Sequence, residues 1–200
     1  DITLRILKTD ELDNPDYAKN PFNRCYYCKD TLYRRLRELQ KREFPTFHLL
    51  NGANRDDLQD HRPGHQAAKE QTICSPLADC GLGKIEIRSL AHRFELPVWS
   101  KPASPCMSSR IPYGHAVSKE KLSQIESAEI ALTQFGFEEV RVRHFGDIAR
   151  IEAPNDSIPR LQTLFPLIEY ALQGIGFKKI EIDEEGLISG KLNRAIQTNG

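Results

Sequence analysis

The stretch Gly136-Phe-Glu-Glu-Val-Arg-Val-Arg-His144 decides the fold of the second half of the chain. From Val140 onward, apolar residues alternate with arginines, which is typical of a β-strand with one buried face. The segment 118–135 before it carries the amphipathic pattern of a helix, and Gly146-Asp147 leads into a second predicted strand over 148–153. We therefore predict one helix followed by one β-hairpin.

The same pattern recurs towards the end of the chain. Ala171-Leu172 and Gly176-Phe-Lys-Lys-Ile-Glu-Ile182 echo the first helix end and its strand, and Asp183-Glu-Glu-Gly186 is a predicted turn into a further strand. Two helix–hairpin repeats make a small α+β domain with a mixed or antiparallel sheet. We assign this domain to 116–200, after a boundary near 115 to 118.

The first half of the chain, residues 1–115, is predicted to be an α/β domain. Apolar residues at helical spacing indicate helices over 29–42 and 83–94, and the apolar run 44–50 is predicted to be a buried strand. This strand runs into the polar loop Asn51-Gly-Ala-Asn-Arg-Asp-Asp57. In open α/β sheets, ligands bind at the carboxyl ends of the strands.

The composition disfavours several classes of protein. The 200 residues carry 28 basic and 28 acidic side chains, so nothing in the overall charge favours a nucleic-acid or anionic membrane partner. No run approaches the roughly 20 apolar residues that span a bilayer, and no signal-peptide pattern opens the chain. We predict a cytoplasmic protein. Because Met107 is the only methionine, we also expect a segment to precede position 1.

Five cysteines offer thiol chemistry, and their odd number in a chain of this size indicates reduced thiols. Cys25-Tyr-Tyr-Cys28 has the spacing used for zinc, for redox pairs and for iron–sulfur clusters, and it also fits two buried cysteines at a helix start. Cys74 and Cys80 form no second pair of this spacing, which weakens a zinc site of four thiolates. Three thiols, with Cys106 as the third, would leave one metal position open.

Cys106 is the strongest candidate for a nucleophile. It lies in Lys101-Pro-Ala-Ser-Pro-Cys-Met-Ser-Ser-Arg-Ile-Pro-Tyr-Gly114, where prolines restrict the backbone. Ser108, Ser109 and Arg110 follow within four residues and are suited to binding a phosphate or carboxylate. A thiolate is the reactive form of cysteine, and a neighbouring cation favours it. The loop is therefore predicted to be an anion-binding cradle around a thiol.

Arg141 and Arg143 indicate a second contact for an anion. Alternate residues of a strand share a face, so these two arginines repel each other unless an anion or a carboxylate neutralises them. A phosphate-bearing ligand and a neighbouring glutamate such as Glu152 are the two candidate partners. Glu129 is expected to lie on the solvated face of its helix.

The polar loop 51–57 and the helix after it each have two interpretations. Asp56 and Asp57 could hold Mg²⁺ on the phosphates of a nucleotide, but Asn, Gly and Asp are also ordinary turn residues, and the turn is favoured on local grounds. Lys84 and Arg88 belong to a helix whose charges are expected to face water.

Several of these motifs together resemble the LarE family of ATP-dependent sacrificial sulfur transferases, within the PP-loop ATP pyrophosphatase superfamily. The cysteine loop and the Arg-x-Arg strand are specific to that family, whereas the helix from Lys84 resembles one shared by many PP-loop enzymes. The resemblance covers nearly the whole chain and implies that the first domain has a parallel-sheet, HUP-like nucleotide-binding fold. The further stretches that carry it are Asn23-Arg-Cys-Tyr-Tyr-Cys-Lys29, Asn51 to Asp57, Asp60-His-Arg-Pro-Gly64, Ser75-Pro-Leu77 and Val140 to Arg150.

The resemblance implies an enzyme that makes the pyridinium bis-thiocarboxylate mononucleotide from which the nickel-pincer cofactor of lactate racemase is built. ATP with Mg²⁺ would adenylate a ring carboxylate, and Cys106 would then displace AMP to form a thioester. In sacrificial members the C–S bond of that cysteine breaks and leaves dehydroalanine. Three-cysteine members are instead associated with a [4Fe-4S] cluster whose open iron holds sulfide, and Cys25, Cys28 and Cys106 match that type.

The resemblance also implies roles for individual residues. Ser109, Arg110, Arg141 and Arg143 would bind the substrate phosphate, and Glu129 would orient one of these arginines. The implied partners are a small-molecule nucleotide and further copies of the chain in a homo-oligomer. The residues on the ATP side would be Asp56, Asp57, Lys84 and Arg88.

One departure from the family pattern matters for activity. PP-loop enzymes carry a Ser-Gly-Gly-x-Asp-Ser loop whose backbone amides bind the ATP phosphates, and no such loop occurs here. We expect that an N-terminal strand, loop and helix are missing and that this stretch alone does not catalyse adenylation. Two other functions stay open: a PP-loop enzyme that thiolates or amidates a different substrate, such as a tRNA base, and a non-enzymatic CxxC metal-binding module.

Overall fold

The computed structural model of the protein describes residues 4–59, 63–102 and 104–188, together with Lys191 and Arg194. The chain divides into two compact units, the first formed by Asp1–Tyr17 with Asn23–Ser104 and the second by Ala18–Phe22 with Pro105–Gly200. The division at Ser104 and Pro105 precedes the boundary expected near 115 to 118. The cysteine loop from Pro105 onward therefore belongs to the second unit.

The first unit is built around helix α2, Arg24–Glu43, which packs against helix α3, Gly64–Glu70. The predicted helix over 29–42 is confirmed, but it begins earlier, so that both cysteines of the CxxC motif lie inside its first two turns. The helix contains neither glycine nor proline and ends before Pro45, which disfavours helical backbone at the preceding residue. Its buried core consists of Tyr33, Ala67, Ala68 and Ile73.

The buried strand predicted over 44–50 is wrong. Only one residue of this run, Leu50, makes a bridge, parallel to Cys74. Phe47 and Leu50 are 63% and 62% exposed. An apolar run becomes a strand only where a neighbouring strand supplies hydrogen-bond partners, and among the described residues only the Cys74 backbone does so. The expected parallel-sheet nucleotide-binding domain is therefore not confirmed.

Helix α5, Lys84–Arg93, confirms the helix predicted over 83–94. Its first turn is capped by Glu86, whose Oε2 accepts the Gly83 N–H at 3.0 Å. The apolar side expected for this helix is not buried, since Ile85 is 82% exposed and Phe94 69% exposed. This part of the chain also has two single-turn α-helices, α1 at Pro15–Ala18 and α4 at Pro76–Asp79, and two 3-10 helices at Glu11–Asp13 and Arg55–Gln59.

The second unit is a three-stranded sheet with two long helices. Helix α6, Lys119–Gln134, is followed by the antiparallel pair β1, Arg141–Phe145, and β2, Ile148–Glu152. Helix α7, Ile158–Gly174, then leads to β3, Lys179–Ile182, which lies parallel to β2. The predicted first helix and its hairpin are thus confirmed.

The second predicted hairpin is wrong over the residues that the structure describes. Because α7 crosses over between β2 and β3, the two strands run parallel, as a crossover connection requires. After β3 the chain continues beside the end of β2, where the Leu187 N–H donates to the Ala153 carbonyl at 2.9 Å. Of the further strand expected over 187–189, Ser189 lies outside the described residues.

Helices α6 and α7 nevertheless end in the same way. Gly136 and Gly176 have φ of +85° and +110°, a left-handed backbone that glycine adopts without strain. The next residues, Phe137 and Phe177, donate their N–H groups back to Leu132 and Leu172 at 3.1 and 3.3 Å. Both phenylalanines are buried, so each helix end brings an aromatic ring into the core.

The sheet has one apolar and one charged face. Val142, Ala149 and Ile151 are fully buried in the core with the helices. Alternation places Arg141, Arg143 and Glu152 on the opposite face. In the described part of the chain, no helix combines the length and apolar character needed to cross a membrane.

Candidate functional site

Cys106 lies immediately before a single 3-10 turn, Met107–Arg110, and is exposed. The turn closes on its backbone: the Ser109 N–H and the Ser109 Oγ donate to the Cys106 carbonyl at 2.9 and 2.7 Å. These two hydrogen bonds fix the cysteine backbone, while exposure leaves the residue accessible to a reactant.

A buried arginine lies beside the cysteine backbone. Arg110 forms a two-point ion pair with Glu129 of α6, in which Nε and Nη2 donate to Oε1 and Oε2 at 2.8 and 3.0 Å. Its Nη1 donates to the carbonyls of Pro105 and Cys106 at 2.7 and 3.3 Å. Arg110 therefore supplies a fixed positive charge next to the cysteine loop.

The expectation that Glu129 is solvated is wrong. Its side chain is only 13% exposed, because Arg110 and the N–H of Val142, which donates to Oε1 at 3.0 Å, surround it. Glu129 thus joins α6, β1 and the cysteine turn. Periodicity alone missed this residue, since nothing in its helix distinguishes it from an exposed glutamate.

Arg143 is neutralised by the second of its two candidate partners. Its Nη2 donates to Glu152 Oε2 at 2.7 Å in a pair that is buried on both sides. Its Nη1 donates to the Ser109 carbonyl at 2.6 Å. The arginine therefore links the charged face of the sheet to the cysteine turn.

Arg141 differs from its two neighbours. Although it is partly buried, no residue in the described part of the chain accepts a hydrogen bond from its guanidinium or forms an ion pair with it. Burial and the positive charges of Arg110 and Arg143 lower its pKa. A half-buried cation among like charges favours an anion as its partner, so Arg141 is the arginine of this strand best suited to bind one.

Cys25 and Cys28 lie one helical turn apart near the N-terminus of α2, where side chains three positions apart face the same side. Cys25 is exposed and Cys28 partly buried. They belong to the first unit and Cys106 to the second. Within either unit, the described residues contain no group of three or more His, Cys, Asp or Glu side chains arranged to hold a metal ion.

The loop before α5 forms a hydrogen-bonded turn. Asn54 Oδ1 accepts the N–H groups of Asp56 and Asp57 at 3.0 and 3.2 Å. Asp56 Oδ2 accepts the Lys84 N–H at 2.8 Å, which lowers the pKa of Asp56. Asp57 Oδ2 accepts the Asn54 N–H at 3.1 Å. The turn interpretation is confirmed, and both carboxylates serve local structure.

The two basic residues expected on the ATP side lie on the surface of α5. Lys84 is exposed, with Nζ 3.9 Å from Asp57 Oδ1. Arg88 is also exposed and donates from Nη2 to the Lys101 carbonyl at 2.8 Å. The structure thus brings Asp56, Asp57 and Lys84 together, while Arg88 binds the segment that leads to the cysteine loop.

Sequence reasoning missed Asn20, which anchors the end of the cysteine loop. Its side chain is fully buried, and Nδ2 lies 3.2, 2.7 and 2.9 Å from the carbonyls of Ile111, Pro112 and His115. Its own carbonyl accepts the Gly114 N–H at 2.9 Å. The sequence offered one signal for this role, an asparagine in a short polar stretch. Asparagine tolerates the positive φ of 56° that the backbone adopts at this position.

Comparison with curated proteins supplies the family. The chain is 34% identical over 97% of its length to the pyridinium-3,5-bisthiocarboxylic acid mononucleotide synthase of Lactiplantibacillus plantarum, of which the match covers 68%. The chain belongs to the LarE family of such synthases. No protein-family model matches the chain.

Two further relatives of this LarE-family chain are uncharacterised proteins. One, from Synechocystis sp., is 43% identical over 98% of the chain and 73% of its own length. The other, from Methanocaldococcus jannaschii, is 31% identical over 92% of the chain and 69% of its own length.

Proposed function

We propose that this chain carries the sulfur-transfer site of an enzyme that converts the carboxylates of a pyridinium dicarboxylate mononucleotide to thiocarboxylates, for the nickel-pincer cofactor of lactate racemase. The observation that carries the proposal is the exposed Cys106, set in a turn that two buried arginine–glutamate pairs hold in place. The family relationship to a synthase of the bisthiocarboxylic acid product supports it.

The reaction begins with activation of the carboxylate. A substrate carboxylate oxygen attacks the α-phosphate of ATP, the bond to the β-phosphate breaks, and pyrophosphate leaves with Mg²⁺. The acyl adenylate that forms has AMP as a good leaving group. Of the residues assigned to the ATP side, Lys84 and Arg88 are exposed to solvent, whereas Asp56 and Asp57 already accept local hydrogen bonds.

Cys106 then acts as the nucleophile. Its thiolate sulfur attacks the acyl carbon, a C–S bond forms, the bond from that carbon to the phosphate oxygen breaks, and AMP leaves. In a sacrificial reaction, a base removes the Cys106 α-proton and the Cβ–S bond breaks. The sulfur departs with the product as a thiocarboxylate, and dehydroalanine remains in the chain.

The substrate phosphate binds to the charged face of the sheet. Arg141 lacks a protein partner among the described residues, so its guanidinium is available for two-point binding of a phosphate. Ser109 and Arg110 lie in the cysteine turn, and Arg143 contacts it. Each of these three residues already donates to backbone or carboxylate oxygens. Arg141 is therefore the principal phosphate ligand of the four.

The thiols also suit an iron–sulfur cluster in their chemistry. Cys25 and Cys106 are exposed and Cys28 is partly buried. Cysteine thiolates are the usual ligands of iron–sulfur clusters, and three of them would leave one iron of a [4Fe-4S] cluster without a protein ligand. Cys25, Cys28 and Cys106 would hold the cluster. When bound, it would supply an iron-held sulfide as the transferable sulfur in place of the Cys106 sulfur, and Cys106 would then be a cluster ligand rather than the nucleophile.

The nucleophile is tested by Cys106→Ala in the full-length protein. We expect thiocarboxylate formation to be abolished while pyrophosphate release stays measurable, because only the acceptor sulfur is removed. Cys80→Ala, which removes another exposed thiol, is the matched control and should transfer sulfur normally. Unchanged sulfur transfer by Cys106→Ala would show that another group supplies the sulfur.

The cluster is tested by metal analysis after anaerobic purification. If the cluster supplies the sulfur, the protein should contain about four iron and four sulfide per chain, and both Cys25→Ala and Cys28→Ala should lose them. Stoichiometric zinc without iron would contradict the cluster and favour a zinc-binding CxxC motif.

A further inference from the structure

We propose that Glu152 is a positioning residue for Cys106 that acts through Arg143, an inference that rests on the sulfur transfer proposed above. Glu152 binds Arg143 and directs it to the carbonyl of the cysteine turn. Arg143 is then a structural link rather than a ligand of the substrate phosphate, and Arg141 alone on this strand is left for the substrate.

The contacts form a continuous path from the sheet to the cysteine. Glu152 Oε2 accepts from Arg143 Nη2 at 2.7 Å, and Arg143 Nη1 donates to the Ser109 carbonyl at 2.6 Å. The Ser109 N–H and Oγ in turn donate to the Cys106 carbonyl. A movement of Glu152 therefore reaches the cysteine backbone through two side chains.

Glu152 and Arg143 depend on each other because both are buried. Their side chains are 3% and 7% exposed, so water compensates neither charge. By strand pairing, Arg141 stands directly opposite Glu152, yet the carboxylate binds Arg143 instead. The choice of partner by one glutamate thus decides which arginine is free.

Glu152 is itself fixed from a second direction. Its other oxygen, Oε1, lies 3.9 Å from Lys191 Nζ, and Lys191 also binds Asp183 at 2.7 Å. The carboxylate therefore lies between two cations, Arg143 and Lys191. Nothing in this arrangement requires Glu152 to touch a reactant.

Single-turnover kinetics separate positioning from binding, because a Cys106 that loses its sulfur reacts once. Here kcat is the maximal rate constant of thiocarboxylate formation, and KM is the nucleotide concentration that gives half of that rate. For Glu152→Gln we expect kcat to fall on the order of 100-fold with KM for the pyridinium nucleotide unchanged, because the nucleophile is displaced and the phosphate ligand is not. For Arg141→Gln we expect KM to rise about tenfold to a hundredfold, because a charged hydrogen bond to the phosphate is lost. A rise in KM for Glu152→Gln equal to that of Arg141→Gln would overturn the proposal.

The matched control is Glu181→Gln. Glu181 also binds an arginine of this sheet, Arg150, at 3.0 Å, but this pair is more exposed and does not touch the cysteine turn. Its kinetics should equal those of the parent protein. Glu152→Asp, which keeps the charge, should recover part of the lost kcat and guards against a folding failure in Glu152→Gln.

A double substitution tests the path itself. In a protein that already carries Arg143→Gln, Glu152→Gln should lower kcat no further, because its effect passes through Arg143. If Glu152→Gln lowers kcat by the same factor in the Arg143→Gln protein as in the parent protein, the two residues act independently and the path is contradicted.

Amide hydrogen exchange tests the contact independently of sulfur transfer. Exchange over 107–111 should accelerate in Glu152→Gln and stay unchanged in Glu181→Gln, since only the first variant releases the Ser109 carbonyl. Unchanged exchange in Glu152→Gln would overturn the positioning role. Failure of the parent protein to make thiocarboxylate, with exchange accelerated as expected, would instead refute the proposed function.

Discussion

Arg110, Arg141 and Arg143 have the same chemistry and different partners. Arg110 binds Glu129, Arg143 binds Glu152, and Arg141 binds neither carboxylate. The sequence predicted that Arg141 and Arg143 share a face, because strand alternation is local. It left open which arginine a glutamate neutralises, because that depends on side-chain packing across a strand pair.

Asn20 shows even more clearly that local sequence patterns do not reveal contacts between distant parts of the chain. Its three carbonyl partners follow it by more than 90 residues of chain, with separations of 91, 92 and 95. No local pattern reports such contacts. The cysteine loop was recognisable from its own residues, but the side chain that holds its end was not.

We expect Asn20→Asp to lower the free energy of unfolding by about 1–3 kcal/mol, because a buried amide that donates hydrogen bonds becomes a group facing carbonyl oxygens. Urea denaturation measures this change. Asn23→Asp, at an exposed position without a side-chain cap, is the control and should change stability by about 0.5 kcal/mol or less. Equal stabilities of Asn20→Asp and the parent would show that the contacts to the loop contribute nothing.

At the scale of elements, prediction succeeded where the pattern is long and local. The helices α2, α5 and α6 were expected within a few residues of their observed bounds. Strands were less certain because their partners lie elsewhere in the chain. The run 44–50 therefore failed as a strand, and β3 was expected in a hairpin although it pairs in parallel across α7.

The repeated helix ending gives a test with an internal control. Gly176→Ala should destabilise the protein by about 1–2 kcal/mol, because φ at this position is +110° and an L-residue there is strained. Gly174→Ala, two positions earlier, places the methyl group in open space within α7 and should stabilise by about 0.5–1 kcal/mol.

Thermal or urea unfolding of both variants decides this point. If the two substitutions shift stability in the same direction, the left-handed helix ending does not contribute as described.

At the scale of the whole molecule, the division into units could not be read from the sequence. The segment Ala18–Phe22 belongs to the second unit although the chain on both sides of it belongs to the first. Composition shows no change there, because the assignment depends on the partners of Asn20. The sequence therefore indicated which residue types the candidate site uses, but not that Cys25 and Cys28 belong to one unit and Cys106 to the other.

Stability of the folded protein should also depend on the buried His144. Burial, and then the charge of Lys121, lower the pKa of His144 below the ordinary value of 6.5. The unfolded chain therefore binds a proton that the folded protein does not, and stability rises with pH through this window. We expect stability to fall as pH drops through about 6.5 towards the lower pKa of the folded state.

Urea unfolding at a series of pH values measures this dependence. His144→Gln should flatten it, whereas His48→Gln, at an exposed position, should retain it. An unchanged slope in His144→Gln would assign the dependence to other groups.

Mass spectrometry of the Cys106 peptide, after one turnover with ATP, Mg²⁺ and the pyridinium nucleotide, shows whether the Cys106 sulfur receives the activated acyl group. We predict either a substrate thioester on Cys106 or, after sulfur loss, dehydroalanine at position 106, with Cys74 and Cys80 unmodified. Thiocarboxylate product formed in Cys106→Ala, or a substrate adduct on another thiol with Cys106 unmodified, would contradict the account.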